Sequence, residues 1–161
     1  MRYAGINKND VTAGAGICVT LYVQGCPHHC PGCHNPETWS FKEGKTYDPR
    51  IESEIIYALT ENGIIRNLAI QGGEPLCDEN AMWVYSLIRK VKKQLPEVKI
   101  YIWTGSYYEE LLKSTNSFIG GCLRLADVLI DGPYVEAERD ITLPMRGSRN
   151  QRIINLKSDI K

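Results

Sequence analysis

Three closely spaced cysteines constrain this chain more than any other feature of its sequence. Cys26, Cys30 and Cys33 lie within eight residues, in the pattern C-x3-C-x2-C. Pro27 and Pro31 lie between them, and proline excludes a regular helix or strand ladder because it lacks a backbone donor and fixes φ. The segment is therefore predicted to form a tight loop whose sulfurs converge on one site.

The number of thiols limits the kind of metal centre that this loop can hold. Converging thiolates suit either a zinc ion or an iron–sulfur cluster, and a closed structural site usually takes four protein ligands. Two interpretations stay open from the spacing. In the first, the cysteines hold a [4Fe–4S] cluster with one iron free for an outside ligand. In the second, His28, His29 or His34 completes a zinc site.

The charge balance and the N-terminus restrict the class of protein. Lys and Arg number 19, as do Asp and Glu, so the formal net charge is zero. This balance gives no reason to expect nucleic acid or an anionic membrane as a partner. The N-terminus has no signal-peptide pattern, and no apolar run approaches the ~18 residues that a membrane span requires. We therefore expect a cytoplasmic protein.

The remaining cysteines predict no disulfide framework. Cys18, Cys77 and Cys122 are isolated from one another, and the other three are too close together to connect distant segments. Without an export signal, a set of structural disulfides is also not expected. We interpret these three as small, buried, apolar side chains.

Strand and helix patterns alternate along the chain after a glycine-rich loop at 9–16. Strands are predicted at 17–23, 67–70, 98–103 and 127–130, with a last one at 153–156. The first helix is predicted to begin at Asp48-Pro49 and to end at Gly63. The second is predicted to be capped by Asp78 and ended by Pro96, and a short third one to begin near Tyr107.

Alternation of this kind indicates parallel βα units with right-handed crossovers. These strands are too few to close an eight-stranded barrel, so the sequence predicts an α/β protein: an open, partial (βα) barrel of parallel strands, in a single domain over 1–161. Ligands bind such folds at the carboxyl ends of the strands. We expect four strand-end segments to gather there: the cysteine loop, Gln71-Gly72-Gly73-Glu74, Thr104-Gly105 and Asp131-Gly132.

The glycine pair after the second strand suits a small ligand. Gly72 and Gly73 offer bare backbone whose N–H and C=O groups can bond an amino-acid moiety, and Glu74 adds a carboxylate. A molecule with an amine and a carboxylate could chelate the free iron of a three-cysteine cluster while contacting this backbone.

Residues 20–39, T-L-Y-V-Q-G-C-P-H-H-C-P-G-C-H-N-P-E-T-W, resemble the signature of the radical S-adenosylmethionine enzymes that activate glycyl-radical enzymes. The resemblance extends over most of the chain, to segments 14–16, 72–76, 103–105, 131–132 and 146–148 with 150–151. Within this family the chain is most similar to the members that act on an anaerobic ribonucleoside-triphosphate reductase. Its short length fits them, since many related activases carry a further cysteine-rich insert.

The resemblance implies a radical SAM-like fold, and a ligand set for each cofactor. Cys26, Cys30 and Cys33 would hold a [4Fe–4S] cluster, and S-adenosylmethionine would chelate its fourth iron. The residues expected around S-adenosylmethionine flank the third cysteine and include the glycine pair: Gly32, Cys33, His34, Gly72, Gly73 and Glu74. The His34 ring would lie beside the adenine, and Gly73 would meet the methionine amino group. No catalytic residue is expected beyond these cofactor-binding ones.

The resemblance also implies the reaction. The reduced cluster would give one electron to the sulfonium, releasing methionine and a 5′-deoxyadenosyl radical that removes a hydrogen atom from a glycine of the partner reductase. Reduced flavodoxin or a similar protein would supply the electron. In such enzymes the cofactors carry the difficult chemistry and the protein positions them.

Two other functions stay open from the sequence. One is activation of a different glycyl-radical enzyme, and the other is a non-catalytic zinc-binding or electron-transfer module. Arg146 and Arg149 either contact the ligand or the partner protein, or are solvated residues of the C-terminal segment.

Overall fold

A mixed sheet of seven strands organises the part of the chain that the computed structural model describes, residues 1–158. The strands are β1 (Arg2–Asp10), β2 (Cys18–Gln24), β3 (Lys45–Thr46), β4 (Asn67–Gly72), β5 (Ile100–Trp103), β6 (Val128–Asp131) and β7 (Arg152–Asn155). The helices are α1 (Pro49–Ala58), α2 (Asp78–Gln94), α3 (Tyr108–Leu111) and α4 (Ser117–Leu125). The predicted α/β class is confirmed, and residues 159–161 of the expected domain lie outside the described residues.

The centre of the sheet is parallel and its two sides are antiparallel. The strand order is β3-β1-β2-β4-β5-β6-β7, and β2, β4, β5 and β6 pair in parallel. β1, β3 and β7 pair antiparallel to their neighbours. The sheet is thus open, as predicted, but it is mixed rather than parallel throughout. The difference arises because β1 joins β2 through a short loop without a crossover helix, and such a connection reverses the strand direction.

The helices pack on one face of the sheet because each crossover continues in the same direction. A right-handed connection that steps each time to the next strand on the same side places every helix on the same face. The main core lies there and includes Leu21 of β2, Ile70 of β4, Ile55 of α1, Leu87 of α2 and Ile119 of α4. None of the helices within residues 1–158 combines the length and hydropathy that a membrane span needs.

The opposite face of the parallel strands carries a smaller cluster of side chains. Successive residues of a strand point to opposite faces, so Ala69 and Tyr101 lie across the sheet from Ile70 and Ile102. This second cluster is formed by Ala13, Cys18, Ala69, Tyr101 and Ile130. The cluster contains no residue of α1 to α4, so within residues 1–158 it lies on the side of the sheet away from these helices.

Two predicted helix boundaries differ from the observed ones. Asp48 caps α1 as predicted, accepting hydrogen bonds from the Arg50 and Ile51 N–H groups at 2.8 and 3.2 Å. However, α1 ends at Ala58 rather than Gly63, since Asn62 has a left-handed φ of 59° that a continuous helix does not allow. The Arg66 guanidinium donates to the freed Ala58 carbonyl at 3.2 Å. Asp78 is the first residue of α2 and not its cap.

Helix α4 was not predicted, because its segment contains two adjacent glycines. Gly121 faces α2, and a Cβ there would lie 2.6 Å from Cε2 of Tyr85. The glycine therefore allows a close approach between the two helices, which outweighs its low helix propensity. Strands β1 and β3 were also missed, since β1 is rich in polar residues and β3 is only two residues long.

We predict that Ile70→Ala lowers the free energy of unfolding of the metal-free protein by about 2–5 kcal/mol, because it removes buried methyl groups from a closely packed core. Ile65→Ala is the matched control, since Ile65 is 59% exposed and Ile70 is fully buried. Chemical denaturation monitored by circular dichroism measures both. Equal losses in the two variants would contradict this description of the core.

Candidate metal and cofactor site

A cleft of about 860 Å³ lies at the carboxyl ends of the parallel strands. The four strand-end segments predicted to gather there all contribute to its walls, so that expectation is confirmed. Every residue singled out from the sequence as a cluster or ligand contact lines this cleft: Cys26, Cys30, Gly32, Cys33, His34, Gly72, Gly73 and Glu74. The structure therefore brings the candidate site together in one place.

The base of the cysteine loop is held by the segment that follows it. β2 ends at Gln24, and Gly25 turns the chain with φ of 96°, a conformation that favours glycine. The Gly25 N–H donates to the Thr38 carbonyl at 2.8 Å, and the Cys26 N–H donates to the Trp39 carbonyl at 3.0 Å. These bonds fix where the first cysteine leaves the sheet.

The second and third cysteines flank a tight turn. The Cys33 N–H donates to the Cys30 carbonyl at 3.1 Å, across Pro31 and Gly32. Gly32 has φ of 72°, so proline and a positive-φ glycine occupy the positions that a type II turn requires. The sequence Pro-Gly thus sets how Cys30 and Cys33 are presented to the cleft.

The three thiols of the cysteine loop are available as ligands. Each is free and half-buried in the cleft wall. Within residues 1–158, no group of three or more His, Cys, Asp or Glu side chains is arranged to hold one metal ion. Cysteines that hold an iron–sulfur cluster each bind a different iron, so they do not have to meet at one ion.

The glycine pair after β4 packs directly on the base of the cysteine loop. A Cβ on Gly73 would lie 2.4 Å from the Gly25 carbonyl oxygen, and Gly72 has φ of 104°. The Gly73 N–H donates to the Val23 carbonyl at 2.9 Å, and the Glu74 N–H donates to the Gly25 carbonyl at 2.8 Å. Glycine is required here because a side chain would separate the two segments.

Glu74 lies in the wall of the cleft, buried with 2% exposure. Its Oε1 accepts from the Leu76 N–H at 2.9 Å, and its Oε2 accepts from the Gly105 N–H at 2.7 Å. His28 Nε2 lies 2.9 Å from the same Oε2. The hydrogen bond to Glu74 raises the pKa of His28 above its ordinary value. Sequence reasoning missed this pair, since the two residues are 46 positions apart in the chain.

Residues 146–151 close the far side of the cleft through amide side chains. Gln151 Oε1 accepts from the Gly147 N–H at 2.9 Å, while its Nε2 donates to the Gly132 carbonyl at 3.0 Å. Arg146 lines the cleft and donates to the Gln151 carbonyl at 3.1 Å. Arg149 pairs with Asp140 at 3.2 Å on the exposed surface. The two arginines thus have different surroundings.

The isolated cysteines are mostly buried, as predicted. Cys18 and Cys122 are fully buried, and burial raises the pKa of their thiols to about 11 and about 12. Cys77 is half-buried at the N-terminal end of α2. Burial keeps these groups as neutral thiols at physiological pH.

Comparison with known families identifies the class of protein. A model of the 4Fe-4S single cluster domain matches residues 12–154, a range that contains all the cleft-lining residues described above. The chain therefore belongs to the family of 4Fe-4S single cluster domain proteins.

Its relatives are more specific. The chain is 37% identical to a protein of Haemophilus influenzae over 158 residues, covering 98% of this chain and 99% of that one. It is 38% identical to a protein of Vibrio cholerae, covering 95% and 97%. It is 33% identical to a protein of Escherichia coli K12, covering 98% and 100%. All three are named anaerobic ribonucleoside-triphosphate reductase-activating protein. The resemblance inferred from the sequence motifs is thereby confirmed.

We predict that alkylation of the folded, metal-free protein distinguishes the two groups of cysteines. Cys30 and Cys33 line an open cleft and should react with iodoacetamide, while Cys18 and Cys122 are fully buried and should stay unmodified. Cys26 lines the same cleft but should react more slowly than Cys30 and Cys33, because burial raises the pKa of its thiol to about 11. Peptide mass spectrometry over a time course measures this, and the denatured protein, in which every thiol should react, is the control. Equal rates at all positions in the folded protein would contradict the arrangement.

We predict that Gly73→Ala destabilises the metal-free protein by about 1–3 kcal/mol, because the new methyl group meets a backbone oxygen that cannot move freely. Iron uptake during reconstitution should fall with it. Gly5→Ala is the matched control, since a Cβ at Gly5 has no neighbour within 4 Å. Denaturant titration and iron analysis measure both variants; a Gly73→Ala protein that behaves like Gly5→Ala would refute the close contact.

Proposed function

We propose that this chain activates anaerobic ribonucleoside-triphosphate reductase by generating a glycyl radical on it, using a [4Fe–4S] cluster and S-adenosylmethionine. One observation carries the proposal: the three half-buried thiols of the cysteine loop line the same cleft as the Gly72-Gly73 backbone. A cluster bound to the thiols and an amino acid bound to the glycines would therefore share one space. The names of the relatives support the same function.

The cysteine loop supplies the protein ligands of the cluster. Cys26, Cys30 and Cys33 would each bind one iron as a thiolate, which leaves the fourth iron for an outside ligand. Burial raises the pKa of the Cys26 thiol to about 11 in the metal-free chain, so cluster binding must displace its proton. The type II turn at Pro31-Gly32 presents the other two thiols with little conformational freedom to lose.

The walls of the cleft supply the contacts for S-adenosylmethionine. The carbonyl oxygens of the glycine pair can accept hydrogen bonds from its methionine ammonium group, and no side chain obstructs the approach. Gly32 and His34, on either side of Cys33, line the same cleft and would contact the rest of the ligand. Glu74 contributes to the same wall.

The chemistry belongs to the cofactors, and the chain positions them. A cluster held by Cys26, Cys30 and Cys33 would supply the electron for the reductive cleavage of S-adenosylmethionine to methionine and a 5′-deoxyadenosyl radical, and that radical would take a hydrogen atom from a glycine of the reductase. The protein holds both groups in one cleft, which the amide-linked segment 146–151 partly covers. Such enclosure limits competing reactions of a reactive intermediate.

The proposal includes the finer description of the fold. With helices on one face and the cleft beside the other, we infer a partial (βα) barrel of the radical SAM type, formed by a single activase domain over 1–161. Reduced flavodoxin or a similar one-electron donor would act with it in the cytoplasm. The balanced charge supports neither a nucleic-acid nor a membrane partner.

Anaerobic reconstitution with iron and sulfide tests the function. We predict that the wild-type protein forms 5′-deoxyadenosine from S-adenosylmethionine under reducing conditions, and that the partner reductase then shows a glycyl-radical signal by electron paramagnetic resonance. Cys30→Ala should lose cluster, product and signal together, because it removes one of three iron ligands. Cys122→Ala, which changes a buried cysteine of α4 outside the cleft, should retain all three.

Two outcomes would contradict the proposal. Protein that contains about one zinc ion and little iron, as isolated anaerobically, would indicate a zinc module. Product without a radical on this reductase, but with one on another glycyl-radical enzyme, would indicate a different partner.

A further inference from the structure

We propose that His28 is a positioning residue for the S-adenosylmethionine site, acting through its hydrogen bond to Glu74. The inference rests on the proposed function and concerns the geometry which that function needs. The bond connects the cysteine loop, which would carry the cluster, to the segment after β4, which would carry the ligand. His28 then sets the separation between the open iron and the glycine backbone.

The carboxylate of Glu74 forms its hydrogen bonds mainly with other groups of the protein. It accepts the N–H groups of Leu76 and Gly105 at 2.9 and 2.7 Å, and it contacts His28 at 2.9 Å. A carboxylate has roughly four acceptor positions, so three contacts use most of its capacity. The side chain is 2% exposed, and burial makes each of these hydrogen bonds costly to leave unmade. Glu74 therefore contributes to the ligand site by holding three segments together.

The position of His28 in the sequence makes this connection specific. It lies two residues after Cys26 and two before Cys30, so a hydrogen bond to its ring acts on the part of the loop between two cluster ligands. The acceptor, Glu74, follows β4, and its Oε2 also accepts the N–H of Gly105, which follows β5. The bond therefore connects the cysteine loop with the ends of two strands. A Cβ on Gly105 would lie 2.6 Å from Cδ2 of His28. This close contact explains why position 105 is glycine, a residue that the sequence analysis identified only as part of a strand-end segment.

The backbone hydrogen bonds at the base of the cysteine loop hold Gly25 and Cys26 and do not involve His28. Gly25 and Cys26 are held by Thr38 and Trp39, and the Glu74 N–H holds the Gly25 carbonyl. Beyond Cys26, the side chain of His28 provides a connection from the cysteine loop to the segment after β4. A ligand that touches both the cluster and the glycine pair depends on a constant distance between them, and displacements of about 1 Å can cost 100-fold in rate.

Two substitutions separate the hydrogen bond from the volume of the ring. His28→Phe keeps a ring of similar size and removes both nitrogens, whereas His28→Gln keeps a terminal N–H donor of similar reach. Both variants retain the three cysteines and should take up iron as the wild type does. Reconstituted wild-type and variant proteins are reduced and titrated with S-adenosylmethionine, and the change in the cluster's paramagnetic resonance spectrum gives the dissociation constant.

We predict that His28→Phe binds S-adenosylmethionine on the order of tenfold more weakly, the effect of losing one hydrogen bond to a charged group. His28→Gln should stay within about threefold of the wild type. Full iron content with weakened ligand binding is the result that a positioning role requires, since a loop-folding role would reduce iron content.

Three results would overturn the inference: wild-type affinity in His28→Phe, loss of iron in His28→Phe, or equal weakening in both variants. The first shows that the bond has no effect on the ligand, the second that His28 serves cluster assembly, and the third that the hydrogen bond is not the cause. Failure of the proposed function is distinguished by the wild type itself, which would then hold a cluster and neither bind nor cleave S-adenosylmethionine.

Discussion

The handedness of the βα crossovers is the constraint on which the rest of this structure depends. β2, β4, β5 and β6 lie side by side in the sheet and follow one another in that order along the chain. Right-handed connections between them place the helices on one face. The main core forms under those helices, while the other face keeps small residues such as Ala13 and Ala69. Since all four strands point the same way, their carboxyl ends meet at one edge. The open face and this shared edge together produce the cleft.

Within that edge, the segments are joined by buried polar groups rather than by apolar packing. Glu74 connects the ends of β4 and β5 with the cysteine loop, and Asn80 donates to the carbonyls of Gln24 and Glu74 at 3.1 and 3.0 Å. Glycines at positions 73 and 105 allow these contacts, because a Cβ at either one would collide with the cysteine loop. Buried hydrogen bonds are directional, so they fix relative positions more strictly than apolar contacts do.

Much of the site could be predicted because its signals are local. The spacing of Cys26, Cys30 and Cys33 is a property of one short loop, and Pro31-Gly32 sets its turn regardless of the rest of the chain. The parallel strands were also found from short apolar runs. β1 and α4 were missed because their sequences violate local propensity, and tertiary contacts, such as that of Gly121 with Tyr85, decide their conformation.

The sequence by itself determined the ligand-bearing loop, the glycine pair and the four parallel strands, because turn chemistry and hydrophobic periodicity act over a few residues. Only the tertiary structure decided which polar groups meet. His28 and Glu74 are 46 residues apart, and Arg152 reaches Asp131 across 21. No local pattern encodes such pairs, since they arise when strand ends from different βα units come to the same edge. The loop carries the chemistry, and the fold sets the distances at which that chemistry can work.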